Sequence, residues 1–207
     1  MKHSTRIKNS LFPEMRSLTV ILLLALSCMC ANAQVVAVKT NVLSYALLTA
    51  NAGIEAKLAP KHSIELSGSL NAWELDHGNK MWKHWYAMPE LRYWFCDVWD
   101  GHFIGVHTFG GQYNIGGVGG LKNFLGTDFS KVKDSRYQGW FVGAGIAYGY
   151  DWIINRHWNI EAEIGIGWAY TRWDKFRCAG CGKKEESKKP HNYVGPTKAA
   201  LNVIYIF

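Results

Sequence analysis

Two short patterns in this sequence could carry chemistry. Glu161 and Glu163 lie two residues apart, so they fall on the same side of an extended segment. A glycosidase uses such a pair of carboxylates, one as the acid and the other as the nucleophile or base. Cys178 and Cys181 form a C-x-x-C motif, which can bind a metal, exchange electrons or close a local disulfide. Which of these uses applies depends on the secondary structure around each pattern.

The cysteine pair favours a disulfide over a metal or redox centre. Zinc needs about four ligands, and only His191 lies near the motif, without a second cysteine pair. Redox thiols normally sit at a helix N-terminus, and no helical pattern occurs there. A disulfide between Cys178 and Cys181 that fixes a loop suits an oxidising exterior. No metal and no cofactor is predicted.

Other catalytic patterns are weaker still. The histidines are scattered, and although His107 could act with a serine or glutamate, the spacing marks no triad. A lipid-modifying enzyme would need such a histidine on the outer wall or rim of the protein. The glycine-rich run 116–120 has no following Lys-Ser/Thr, so a phosphate loop is rejected. No catalytic residues are therefore predicted.

The elements that carry these residues are strands. In the last ten residues, Ala199, Leu201, Val203, Tyr205 and Phe207 share one face, and this period of two recurs along the chain. Helical periodicity does not compete with it after residue 33. Eight strands are predicted, at 35–47, 51–59, 62–75, 84–96, 101–115, 137–153, 157–175 and 195–207.

The connections indicate an outer-membrane barrel. The second, fourth and sixth are short, whereas the third (76–83), fifth (116–136) and seventh (176–194) are long. Short turns on one rim and long loops on the other are typical of an eight-stranded antiparallel up-and-down transmembrane β-barrel. Aromatic residues fall near both rims, as at membrane interfaces. Tyr205 and Phe207 are predicted to form a C-terminal signal for the outer-membrane assembly machinery.

The N-terminus indicates export. A basic segment precedes the apolar run 18–29, which is too short to span a bilayer, and Ala31-Asn32-Ala33 provides a small-x-small cleavage site. Residues 1–33 are therefore predicted to be a secretory signal peptide, and residues 34–207 a single barrel domain. Without the leader, which holds four basic residues and one acid, the formal charge falls from +7 to +4. This weak, dispersed charge predicts no nucleic-acid partner.

If the apolar face meets lipid, the polar face lines the lumen. The charged residues predicted there are Lys39, Glu55, Lys57, Glu65, Glu90, Arg92, Glu161, Glu163 and Lys198. Four cations against five carboxylates predict a network of paired charges that fills the interior, because an eight-stranded barrel encloses little more than side chains. On this interpretation Glu161 and Glu163 are lumen residues rather than a glycosidase pair.

Several segments, in this order, resemble a known family: Lys39–Leu43, Pro89–Trp94, Tyr113–Asn114, Cys178–Gly182 and Gly195–Ala199. The chain resembles the small outer-membrane β-barrel proteins of Bacteroidetes that are classified as a domain of unknown function. The resemblance implies an eight-stranded barrel and transfers no activity or catalytic residue. It also suggests a fimbrial partner, because an association with surface fimbria systems has been proposed for some relatives.

The expected function is a non-enzymatic outer-membrane barrel of structural or surface-interaction type, an adhesion or fimbria accessory that acts through its long loops. Its expected partners are outer-membrane lipid and lipopolysaccharide, the assembly machinery, and fimbrial or other surface proteins. Two alternatives remain open at this point, a lipid- or lipopolysaccharide-modifying enzyme and a narrow channel. A side-chain-filled lumen argues against the channel.

Overall fold

The computed structural model describes residues 36–75, 80–117, 135–177 and 184–207. These residues form eight strands and one short helix. The strands are β1 (Val36–Asn41), β2 (Ala50–Ala59), β3 (His62–Leu75), β4 (Lys80–Trp94), β5 (Gly101–Gly116), β6 (Arg136–Ile153), β7 (Trp158–Phe176) and β8 (Lys184–Ile206), and the helix is α1 (Val42–Ala46). The predicted signal peptide (1–33) and the predicted Cys178–Cys181 disulfide lie outside the described residues.

The strands close into a ring. Each strand pairs antiparallel with the next along the chain, and β8 returns to pair with β1 between Ala37–Ile206 and Asn41–Asn202. Such an up-and-down order needs only hairpin connections, which is why eight consecutive alternating segments can build it. The prediction of an all-β, antiparallel fold is confirmed.

The first predicted strand is too long. β1 ends at Asn41, and residues 42–46 of the predicted strand 35–47 instead form α1. The side chain of Asn41 causes the change, because its Oδ1 accepts a hydrogen bond from the backbone N–H of Leu43 at 3.0 Å and so caps the helix. The Thr40 and Tyr45 hydroxyls, 2.7 Å apart, tie the helix to the strand.

The last predicted strand is too short. β8 begins at Lys184 rather than at residue 195, so residues 184–194 of the predicted connection 176–194 are strand. This segment pairs with the C-terminal end of β7, with Arg172 opposite Pro190 and Phe176 opposite Lys184. Where both faces of a hairpin meet water, backbone pairing alone extends it, and no apolar alternation marks the segment in the sequence.

Alternation assigns the two faces of the wall. Polar side chains such as Glu55, Arg92 and Asn71 turn inward and are buried, whereas most isoleucine, leucine and valine side chains of the wall, such as Leu66 and Val106, turn outward and are exposed. On β6, for example, Val142, Ile146 and Tyr148 are exposed, with glycines between them on the inner face. Pro89 lacks the N–H that one ladder bond would need. The β3–β4 register runs through it unbroken, whereas the β4–β5 pairing omits Met88 and Pro89, between Ala87–Gly110 and Glu90–His107. No helix among the described residues is long and apolar enough to cross a membrane.

Candidate functional site

A cluster of charged side chains fills the middle of the lumen. It joins eight of the nine predicted lumen charges, which come from six strands: Lys39, Glu55, Glu65, Glu90, Arg92, Glu161, Glu163 and Lys198. We call this set the lumen cluster. Each member occupies an inward position of its strand, so the alternating pattern alone brings the members together. The ninth residue, Lys57, is half-buried and forms no ion pair with a described residue.

Arg92 is the hub of the lumen cluster. Its guanidinium is fully buried and contacts all five glutamates. Nε donates to Glu90 at 2.6 Å, Nη1 to Glu161 at 2.7 Å and Nη2 to Glu163 at 2.8 Å. Arginine suits this position because its five N–H donors fan out in a plane and can reach several carboxylates at once.

Two lysines divide between them the five carboxylates that Arg92 contacts. Lys39 Nζ lies 2.5 Å from Glu55, 3.2 Å from Glu65 and 3.1 Å from Glu161. Lys198 Nζ lies 2.9 Å from both Glu90 and Glu163. Every carboxylate of the lumen cluster therefore contacts at least two cationic side chains, as buried charges require.

Three of these carboxylates could in principle hold a metal ion. Oxygen atoms of Glu65, Glu90 and Glu163 lie within 4.8 Å of one another. Lys198 Nζ, however, already lies 2.9 Å from two of them and 3.7 Å from the third. The chain thus supplies its own cation at this place, and the geometry gives no separate reason to assign a metal.

An apolar floor closes the lumen on the side of the short turns. Trp94, Val98, Trp99 and Phe103 pack together there and are all buried. The Phe103 ring also lies under Arg92, whose Cζ is 4.4 Å from the ring centroid. The inward position of Phe103 thus puts its ring beneath the charges. Floor and lumen cluster together occlude the barrel.

The structure also reveals a pairing that the sequence did not indicate. His107 Nε2 lies 2.9 Å from the Thr197 hydroxyl, and His107 Nδ1 lies 3.5 Å from Glu90. The order hydroxyl, imidazole, carboxylate is that of a nucleophilic triad. Sequence reasoning missed it because Thr197 is the extra residue of a bulge, where β8 skips from Lys198 opposite Gly165 to Pro196 opposite Ile166.

The surroundings of His107 leave little space for a substrate. The ring is fully buried. A Cβ placed on Gly145 would lie 2.7 Å from His107 Nε2 and 2.9 Å from the Thr197 hydroxyl oxygen. The triad-like group is therefore packed tightly against the inner wall, as a lumen hydrogen bond would be.

The other predicted site residues lie at the C-terminus. Tyr205 packs edge-on against Trp158 and Phe207, with ring centroids 5.0 Å apart in each case. The backbone N–H of Phe207 donates to the Val36 carbonyl at 3.0 Å, which extends the β8–β1 seam. Their predicted part in assembly stays a prediction.

Beyond the lumen cluster, at the long-loop end, lies a cavity of about 760 Å³. Its lining takes three consecutive residues from each of five neighbouring strands: 70–72, 83–85, 112–114, 138–140 and 172–174. We call it the rim cavity. No pattern in the sequence predicts this cavity, because the register of five strands decides which residues lie at the same height in the barrel.

Residues 18–207 match a family described as "Protein of unknown function (DUF3575)". No curated protein matches the chain. The match covers nearly the whole sequence, including every strand described above, and the chain therefore belongs to this family.

Proposed function

We propose that the protein is an outer-membrane β-barrel without catalytic activity, which acts through its long-loop rim on molecules at the cell surface. The observation that carries the proposal is the inverted polarity of the wall. Charged side chains such as Arg92, Glu90 and Glu161 are buried inside, while Ile146, Ile164 and Leu66 are each about 60 % exposed outside. A water-soluble barrel would place apolar residues inside, and so large an exposed apolar surface needs a lipid or protein partner.

The dimensions of the apolar wall support the proposal. On β6, outward residues between Trp152 and Trp140 are apolar or aromatic, and polar Gln138 follows. These twelve steps at ~3.3 Å, on a strand tilted by ~40°, give a height of about 30 Å, similar to the hydrocarbon core of a bilayer. Trp140 and Trp152 would then lie at the two interfaces, where amphipathic rings are favoured.

Because the lumen is blocked, we expect the protein to act through its long-loop rim. A barrel occluded by the lumen cluster and its floor offers no path for a solute, so interactions must occur at the ends. The long-loop end would face outward, because the predicted leader delivers both termini to the periplasmic side. Lipopolysaccharide, fimbrial proteins and other surface proteins are the partners within reach there.

Fractionation combined with gel mobility tests this proposal. The protein should sediment with outer membranes and resist extraction by carbonate. It should also migrate faster in unheated than in boiled samples, as folded barrels do. Recovery from the soluble periplasmic fraction, with no change in mobility on heating, would refute the proposal.

A lipid- or lipopolysaccharide-modifying enzyme is the second candidate, and only the Thr197–His107–Glu90 arrangement favours it. If it holds, His107→Gln and Thr197→Val should each abolish a change in lipid A that is visible by mass spectrometry. Identical lipid A in a deletion strain and in its parent would exclude this candidate. The tight packing around His107 makes the non-enzymatic function the better supported of the two.

A further inference from the structure

The wall of the barrel is much lower at β1 and β2 than elsewhere. β1 has 6 residues and β2 has 10, whereas the other six strands have 14 to 23. At ~3.3 Å per residue and a tilt of ~40°, six residues rise only about 15 Å, half of the ~30 Å hydrocarbon core of a bilayer. Because β1 and β2 start from the short-turn end, the missing height lies toward the long-loop end, at the level of the outer leaflet.

The strands on either side of this low wall have edges without a partner strand. β3 pairs with β2 only as far as Leu70, and β8 pairs with β1 only between Asn202 and Ile206. Among the described residues, no strand pairs on that side with residues 71–75 of β3 or 184–201 of β8. We call the gap above α1, between these two edges, the wall notch.

Side chains satisfy backbone groups along the β8 margin of the wall notch. Asn41 Nδ2 donates to the Ala199 carbonyl at 3.1 Å, and Asn41 Oδ1 accepts from the Leu201 N–H at 3.1 Å. The Tyr193 hydroxyl donates to the Pro196 carbonyl at 3.2 Å, and Pro196 has no N–H to offer a further strand. Bonds of this kind allow a strand edge to remain open inside a bilayer, where backbone groups find no water.

The opposite margin is held in place and is apolar. Asn71 Nδ2 and Trp73 Nε1 donate to the Leu48 carbonyl at 3.2 and 2.7 Å, and these bonds fix Leu48 at a φ of 53°. Leu47 and Leu48 are 63 % and 62 % exposed, and Val194 on β8 is 79 % exposed. Exposed apolar side chains on both margins suit contact with hydrocarbon rather than with water.

Aromatic side chains line the lumen behind the wall notch. Phe109 and Tyr113 lie on the same side of β5 as the buried His107, so they point inward, and they follow it toward the long-loop end. The inward ring of Phe141 lies 6.1 Å from the Phe109 ring and 6.2 Å from the Tyr113 ring, between centroids. All three are half-buried. In a ring of eight strands, β5 lies opposite β1, so these rings face the wall notch across the lumen.

We propose that one acyl chain of an outer-leaflet lipid enters through the wall notch and packs against Phe109, Tyr113 and Phe141 in the upper lumen, the part between the lumen cluster and the long-loop end. The proposal deepens the proposed function and rests on it for the depth of the wall notch in the membrane. A lipid chain is the occupant because the wall notch is continuous with the apolar outer wall, which hydrocarbon would surround.

Photochemical labelling from within the bilayer tests the site. The full-length protein is reconstituted into vesicles of phosphatidylethanolamine and phosphatidylglycerol that contain a phospholipid with a diazirine in one acyl chain. After irradiation, mass spectrometry maps the labelled residues. Lipid around the barrel should label outward residues such as Val106 and Val142. We expect additional labelling of Phe109 and Phe141, which lipid outside the wall cannot reach.

Two alanine substitutions distinguish the inner face from the outer face. Ala169 lies on the same side of β7 as the buried Glu163, so Ala169→Trp places an indole in the upper lumen. It should lower the labelling of Phe141 by about tenfold, because the ring fills space that the chain would occupy. Ala144→Trp is the matched control, since Ala144 is exposed on the outward face of β6 and should leave the inward labelling unchanged. Heat-modifiable mobility confirms that each variant is folded.

Two results would overturn the acyl-chain site while leaving the outer-membrane proposal intact. One is labelling confined to outward residues, and the other is labelling of Phe141 that is equal in the folded Ala169→Trp and Ala144→Trp variants. Absence of labelling at every residue would overturn both the site and the lipid-facing wall, so the two failures are distinguishable.

Discussion

A guanidinium enclosed in a barrel cannot reach water, so its donors must find acceptors on neighbouring strands. Arg92 finds them on all five glutamates of the lumen cluster. The same carboxylates receive further support from neutral groups, since Ser63 donates to Glu55 at 2.5 Å and Asn202 donates to Glu161 at 2.6 Å. Residues distant in sequence are thereby held at fixed distances.

Removal of Arg92 should therefore destabilise the barrel severely. Arg92→Ala leaves five buried carboxylates with only two lysines, and loss of one partner from a buried ion network costs about 3–5 kcal/mol. Urea unfolding in detergent micelles, followed by heat-modifiable mobility, measures the change in the free energy of unfolding.

Lys57→Ala is the matched control for this change. It removes another inward cation, but one outside the lumen cluster, and should change the free energy of unfolding by less than about 1 kcal/mol. If the two variants were equally stable, the lumen cluster would not be the main support of the interior.

At the scale of the strand, glycines on the inner face make room for the long side chains opposite. A Cβ on Gly105 would lie 2.6 Å from a Glu90 carboxylate oxygen, and one on Gly165 would lie 2.9 Å from the His107 ring. Glycine weakens a strand by its backbone entropy. Its use here is steric, because a side chain at either position would collide with Glu90 or His107.

Gly145→Ala should accordingly lower stability, because its methyl group would meet the Ile166 carbonyl oxygen at 2.6 Å as well as His107. Overpacking of this kind costs about 1–3 kcal/mol. Gly68→Ala, where the nearest atom would be 3.5 Å away, serves as the control and should not destabilise the barrel. The measurement is again the urea midpoint, and equal midpoints for the two variants would contradict the steric role.

At the scale of the whole molecule, the proposed lipid-facing wall predicts that the cost of an outward lysine depends on its depth in the bilayer. Ile146 lies midway between Trp140 and Trp152 on β6 and is 60 % exposed. Ile146→Lys should destabilise the protein in lipid by about 2–4 kcal/mol, the cost of a lysine at the bilayer midplane. Gln138→Lys, beyond the Trp140 level, should cost less than about 1 kcal/mol. Folding titrations in phospholipid vesicles compare the two, and similar costs would argue against a membrane-embedded wall.

The occluded lumen makes a second prediction at this scale. Protein reconstituted into planar bilayers should give no stepwise ion conductance, because the lumen cluster and the floor of Trp94, Trp99 and Phe103 leave no continuous path. Stepwise conductance of the unmodified protein would instead support the narrow channel, the alternative function that the sequence allowed.

The sequence by itself determined the period of two, and with it the number of strands, their antiparallel order and the face on which each charge lies. That information is local, because side chains alternate along any extended chain. It was therefore sufficient to identify eight of the charges that meet in the lumen. The alternating pattern failed to predict two segments. One is α1, where an asparagine caps a helix, and the other is residues 184–194 of β8.

Only the tertiary structure decided which residues share a level around the ring. Register across strands sets that level, and it depends on pairings between residues far apart in sequence, including the bulge that turns Thr197 toward His107. The rim cavity arises in the same way, from three residues on each of five strands. The residues of this lining are far apart along the chain, and they share one level only because the five strands pair in this register.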